Sequence, residues 1–121
     1  MKGVMVIDNA AEVRRRLCEL LSELPDVRAE GCHADWREVE ARLEEVDPCC
    51  VVIDVPVAGP AGFDLLARLR RTAPACVIVV LTNRSDGELE RRSREIGADH
   101  FLAKAADFER LVDLVRDLGC E

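Results

Sequence analysis

The chain has 121 residues, 49% of them hydrophobic and 34% charged, with 24 acidic against 17 basic side chains and a formal net charge of -7. This describes a soluble globular protein of one domain (1–121) with a single core, not a disordered chain. The acidic excess argues against direct contact with nucleic acid, and no run of eighteen apolar residues exists to insert in a membrane.

In chain order, residues 4–7 form a short β-branched apolar run that reads as a strand. Val13, Leu17, Leu20, Leu21 and Leu24 then recur at helical spacing. A second strand is expected over 27–31, and a second helix has its inner face at Trp36, Val39, Leu43 and Val46. The run 49–53 is apolar throughout, as strands covered on both faces are. Phe63, Leu66 and Leu69 mark a third helix opened by Gly62, followed by a strand over 76–81. Segment 86–97 has little apolar anchor beyond Leu89 and Ile96 amid Glu88, Glu90, Arg91, Arg92, Arg94 and Glu95, so it is the element most able to move. A strand over 100–103 precedes a final helix, which should dock firmly through Phe108, Leu111, Val112, Val115 and Leu118 and end at Gly119. Strict alternation of this kind implies a parallel α/β sheet with right-handed crossovers.

The basic clusters Arg14-Arg15-Arg16, Arg70-Arg71 and Arg91-Arg92 lie among acidic neighbours and read as solvated helix faces. Met1-Lys2-Gly3-Val4 enters the first strand without a charged leader, so a cytoplasmic location is expected. Cys18, Cys32, Cys49, Cys50, Cys76 and Cys120 show no Cys-x-x-Cys spacing and read as small buried hydrophobes in a reducing compartment. His33 and His100 stand in no zinc-ligand spacing.

Polar residues close the strand-like runs. Asp8-Asn9 follows the first, Asp54 the third, Thr82-Asn83 the fourth and Lys104 the last, which gathers them on the carboxyl rim where open α/β sheets place ligands. In this order and spacing, with Gly62, Gly97-Ala98-Asp99 and Phe101, the chain resembles the bacterial response-regulator receiver domain over essentially its whole length. The resemblance implies a flavodoxin-like doubly wound fold with strand order 2-1-3-4-5. It also implies phosphorelay signalling, with Asp54 accepting a phosphoryl group from a histidine kinase or a histidine phosphotransfer protein. Asp8, Asn9, Asp54 and the backbone carbonyl of Pro56 would hold Mg²⁺, which takes a few hard oxygen ligands and keeps several waters. Lys104 would neutralise a phosphoryl oxygen and Thr82 would hydrogen-bond another. Thr82 and Phe101 would then form the switch that repositions the 86–119 face for a downstream protein.

Three departures stand out. Asn9 occupies a place usually acidic, which lowers the expected Mg²⁺ affinity. Ala105 replaces the usual proline, and a trans Lys104-Ala105 bond is expected. Pro56 and Arg84 suggest restricted water access and a long-lived phosphoryl group. No turnover of an external substrate is expected: a phosphatase with an aspartate nucleophile needs an acid two residues later, where Pro56 stands. A nucleotide or flavin site would need glycines after the first strand, and Asp8-Asn9-Ala10-Ala11 has none. The competing reading is a degenerate receiver that binds partners without phosphate.

Overall fold

The computed structural model describes residues 2–33, 35–54, 60–83, 87–103 and 108–119, in which five strands alternate with five helices. Strands β1 (Lys2–Ile7), β2 (Val27–Cys32), β3 (Cys50–Ile53), β4 (Val77–Thr82) and β5 (His100–Ala103) pair in parallel in the order β2-β1-β3-β4-β5. This is the order that the resemblance implied. The helices are α1 (Ala11–Ser22), α2 (Trp36–Glu45), α3 (Pro60–Thr72), α4 (Gly87–Ile96) and α5 (Phe108–Arg116).

Strand alternation divides the core into two layers. Met5, Ile7, Val51, Ile53, Ile78 and Val80 face one side, where they meet Val39 of α2, Leu65, Leu66 and Leu69 of α3, and Leu89 of α4. Val4, Val6, Cys50, Val52, Val79 and Leu81 face the other, against Leu17 and Leu21 of α1 and Leu111 and Val115 of α5. The central strand β3 is buried at every position, as its uninterrupted apolar sequence requires. The last helix is tied at its end as well as along its face: the ammonium of Lys2 donates to the carbonyls of Val115 (3.3 Å) and Arg116 (2.7 Å). A cation there satisfies orphan carbonyls and complements the helix dipole.

Three local expectations need correction, and one buried residue was unmarked. Helix α3 begins at Pro60 rather than Gly62, because a proline fits a first turn whose N–H groups have no intrahelical partner. Val112 and Leu114 are both half-buried, but it is Leu114 that packs against the core. Helix α4 buries Ser93 along with Leu89, so its inner face carries a hydroxyl that apolar patterning did not mark. Among the cysteines, Cys18, Cys32, Cys50 and Cys76 are free, but Cys49 is disulfide-bonded and not a reduced thiol. Burial pushes the thiols of Cys32 and Cys76 up to about 11, which suits them to packing rather than reaction. Cys120 lies outside the described residues.

The Ser93 hydroxyl is fully buried and has no hydrogen-bond partner among the described residues. A buried polar group left in this state costs about 1–3 kcal/mol. We predict that Ser93→Ala stabilises the chain by about 1 kcal/mol in urea unfolding, since it removes the hydroxyl and favours the helix. A lower unfolding midpoint would contradict this account of α4.

Candidate functional site

The carboxyl ends of the three central strands bring three polar side chains into the interior. Asp8 directly follows β1 and is 2% exposed, Asp54 directly follows β3 and is 3% exposed, and Thr82 closes β4 at 1% exposure. Ile7 lies opposite Ile53 in the β1–β3 ladder, and the Asp54 N–H donates to the Ile7 carbonyl at 3.1 Å. The two aspartates are therefore next in register on neighbouring strands, which run about 5 Å apart. Thr82 pairs with Ala103 on β5, so Lys104 is the next residue along that edge in sequence. Lys104, Pro56, Arg84 and the Lys104-Ala105 bond lie outside the described residues.

Asp8 is held firmly. Its N–H donates to the Cys32 carbonyl (3.2 Å), its Oδ1 accepts from the Ala10 N–H (2.9 Å), and its own carbonyl accepts from Nη1 of Arg14 (2.6 Å). The Asp8–Ala10 bond is an Asx turn, which bends the chain from β1 into α1. Asn9, at the tip of that turn, is exposed.

Two buried carboxylates on adjacent strands repel each other unless a cation or hydrogen-bond donors compensate them. Among the described residues no third His, Cys, Asp or Glu joins them in a metal-sized cluster. A pair of carboxylates still fits Mg²⁺, which binds through one or two of them and keeps water on its remaining positions.

Phe101, expected to act with Thr82, lies on the side of the sheet that carries α2, α3 and α4. Phe101 is half-buried and packs against that core, as do Ile96 and Phe63. Besides Leu89 and Ile96 in the shared apolar cluster, helix α4 and the residue after it reach α3 through polar and aromatic contacts. The Arg92 guanidinium stacks over the Phe63 ring at 4.4 Å, and Arg70 of α3 donates to the Gly97 carbonyl at 3.0 Å. Arg70 also donates to the carbonyls of Ala73, Pro74 and Cys76 and pairs with Asp99. Gly97 has to be glycine: its φ is +145°, and an added Cβ would sit 2.5 Å from the Arg70 side chain.

The arginine clusters are thus not uniform solvated faces. Arg15 and Arg91 are exposed and pair with acids on their own helices, as expected. Arg14, Arg70 and Arg92 instead touch neighbouring elements. Sequence reading missed them because a run such as Arg-Arg-Arg does not show which residue faces inward. The one available signal was phase: Arg14 lies beside Val13 and three residues before Leu17, on the edge of the inner stripe.

The chain matches the response regulator receiver domain over residues 4–116. It is 37% identical over 104 residues to protein-glutamate methylesterase/protein-glutamine glutaminase 1 of Myxococcus xanthus, an alignment covering 84% of this chain and 29% of that protein. It spans little more than a quarter of the length of such relatives. Among solved structures, a response regulator from Thermotoga maritima superposes with a TM-score of 0.85 at 21% identity, covering 98% of this chain and 97% of the other. A response regulator protein from Burkholderia pseudomallei, solved with a phosphorylated aspartic acid, calcium ion and citrate, gives 0.84 at 22% identity and covers 97% and 68% of the two chains. No helix among the described residues is long and apolar enough to cross a membrane. Similarity continuous from the first strand to the last helix makes this chain a member of the response regulator receiver domain family.

Proposed function

We propose that Asp54 is the phosphoryl acceptor of this receiver. The observation that carries the reading is the burial of Asp54 beside Asp8 on adjacent strand ends, with Thr82 on the next strand. A carboxylate oxygen of Asp54 attacks the phosphorus of a phosphohistidine in line; the phosphorus–nitrogen bond breaks and its electron pair returns to the donor's imidazole. The Asp54 backbone is fixed for this by its N–H bond to Ile7, so the nucleophile lies on a rigid strand end rather than a loose loop. Asp8, anchored through Ala10 and Arg14, supplies the second carboxylate of the acidic pair.

Asp8, Asp54, the Asn9 side-chain carbonyl and the Pro56 carbonyl would hold Mg²⁺, which when bound would supply neutralising charge at the acceptor. By its place in the sequence, Lys104 serves a phosphoryl oxygen as a point charge, and the Thr82 hydroxyl donates to another. Movement of Thr82 toward the phosphate changes the packing of the β4 end and of Phe101, and with them the docking of α4. The donor is a histidine kinase or a histidine phosphotransfer protein. The readout is the 86–119 face engaging a downstream protein, and cytoplasmic two-component signalling is the setting.

Intact-mass measurement after incubation with acetyl phosphate and Mg²⁺ tests the acceptor. The native chain gains the mass of one phosphoryl group and Asp54→Ala gains none. An unmodified native chain would leave the phosphate-independent interaction module as the reading. Asn9 generates a second prediction. Replacing its neutral amide by a carboxylate adds a charge beside Mg²⁺, worth roughly 4 kcal/mol per unit charge pair at 4 Å before desolvation offsets most of it. Asn9→Asp is therefore expected to bind Mg²⁺ more tightly in a calorimetric titration, and an unchanged affinity would show that Asn9 does not face the metal.

A further inference from the structure

Asp8 is held from three sides, and two of its bonds are those of an ordinary strand-to-helix turn: the N–H to Cys32 and the Asx bond from Ala10. The third is different. Arg14 is a long charged side chain from the first turn of α1, half-buried, and it donates from Nη1 to the Asp8 main-chain carbonyl at 2.6 Å. Its stem reaches that carbonyl by crossing Gly31 on β2. A Cβ built on Gly31 would lie 2.7 Å from Cγ and 3.0 Å from Cδ of Arg14, closer than such atoms come to one another. Gly31 has no left-handed backbone to explain it; the absent side chain is what makes room for the arginine. A glycine inside a strand weakens it unless something approaches closely, and here the close approach is Arg14.

We propose that Arg14 is a positioning residue for the divalent-cation site, and that Gly31 provides the cradle that aims it. The inference rests on the reading of Asp8 and Asp54 as the metal-binding pair. With Asn9 in the neighbouring position, Asp8 is the one carboxylate contributed by the β1–α1 turn, so the site depends on how well that residue is held. Fixing the Asp8 carbonyl from one side and its Oδ1 from the other leaves the carboxylate little freedom, which lowers the ordering cost of binding a metal. The charge of Arg14 acts in the opposite sense, since a guanidinium near a cation site repels the cation. Positioning and charge therefore predict opposite signs for loss of Arg14, and Gly31→Ala separates them because it displaces the stem while keeping the charge.

The test is a Mg²⁺ titration of the full 121-residue chain, followed by the amide chemical shifts of Asp8, Ala10 and Asp54, for native protein, Arg14→Gln, Gly31→Ala and the double variant. Loss of a residue that orients a metal ligand typically weakens binding by tenfold or more. We expect roughly tenfold weaker Mg²⁺ binding in each single variant and no further loss in the double, because both act through one contact. A purely structural role would shift the thermal midpoint and leave the folded chain's Mg²⁺ affinity unchanged. Native-like or tighter binding in Arg14→Gln overturns the proposal. So does native-like binding in Gly31→Ala, or independent effects that multiply in the double variant. Should Gly31→Ala fail to fold, Arg14→Gln decides alone. A native chain that binds no Mg²⁺ at all overturns the metal site itself, and the inference falls with it.

Discussion

Two carboxylates buried next to each other constrain the rest of this molecule. Asp8 and Asp54 stand on adjacent strand ends with almost no solvent access, and bringing one ionised carboxylate into such surroundings is costly, let alone two. The fold makes the arrangement possible because β1 and β3 are neighbours in a sheet covered on both faces, so their last residues share one rim. The same adjacency turns that cost toward chemistry. A site built to hold concentrated negative charge attracts a divalent cation and, once neutralised, tolerates the further charge of a phosphoryl group.

The helix that the proposed switch would move is only lightly anchored. Where α3 buries Leu65, Leu66 and Leu69, α4 offers Leu89 and an unsatisfied Ser93, and much of its hold on α3 passes through Arg92 over Phe63 and Arg70 to Gly97. Contacts of this type add of order 1 kcal/mol each at a surface, far less than a buried leucine. A helix docked in that manner is readily repositioned by a change at the end of β4, where Thr82 lies. Phe63 belongs to the first turns of α3, the helix that follows Asp54 in the chain, so α4 contacts the helix next after Asp54. Low local stability here is a condition for switching.

Much of this was legible in the sequence because burial imposes it. Cys50-Val51-Val52-Ile53 reads as a strand covered on both faces, and the polar residues after such runs marked the rim. Asp8, Asp54 and Thr82 all proved buried where the spacing placed them. What escaped notice was side-chain direction. Val112 and Leu114 are equally apolar, and helical phase alone assigned the wrong one to the core. Arg14 and Arg70 looked like surface charge because an aliphatic stem can lie along a strand or helix while its guanidinium satisfies carbonyls elsewhere. Ser93 is not apolar and so carried no mark of burial, although small hydroxyls fit the inner face of a helix that packs closely.

The central claim is that Asp54 takes up a phosphoryl group and passes the event to α4. It is tested most directly by adding Mg²⁺ and beryllofluoride, a phosphoryl mimic, and following backbone amide resonances across the chain. The account predicts shifts at Asp8, Asp54 and Thr82 together with α4, all lost in Asp54→Ala. Shifts that persist without Asp54, or a native spectrum that does not respond, would contradict it.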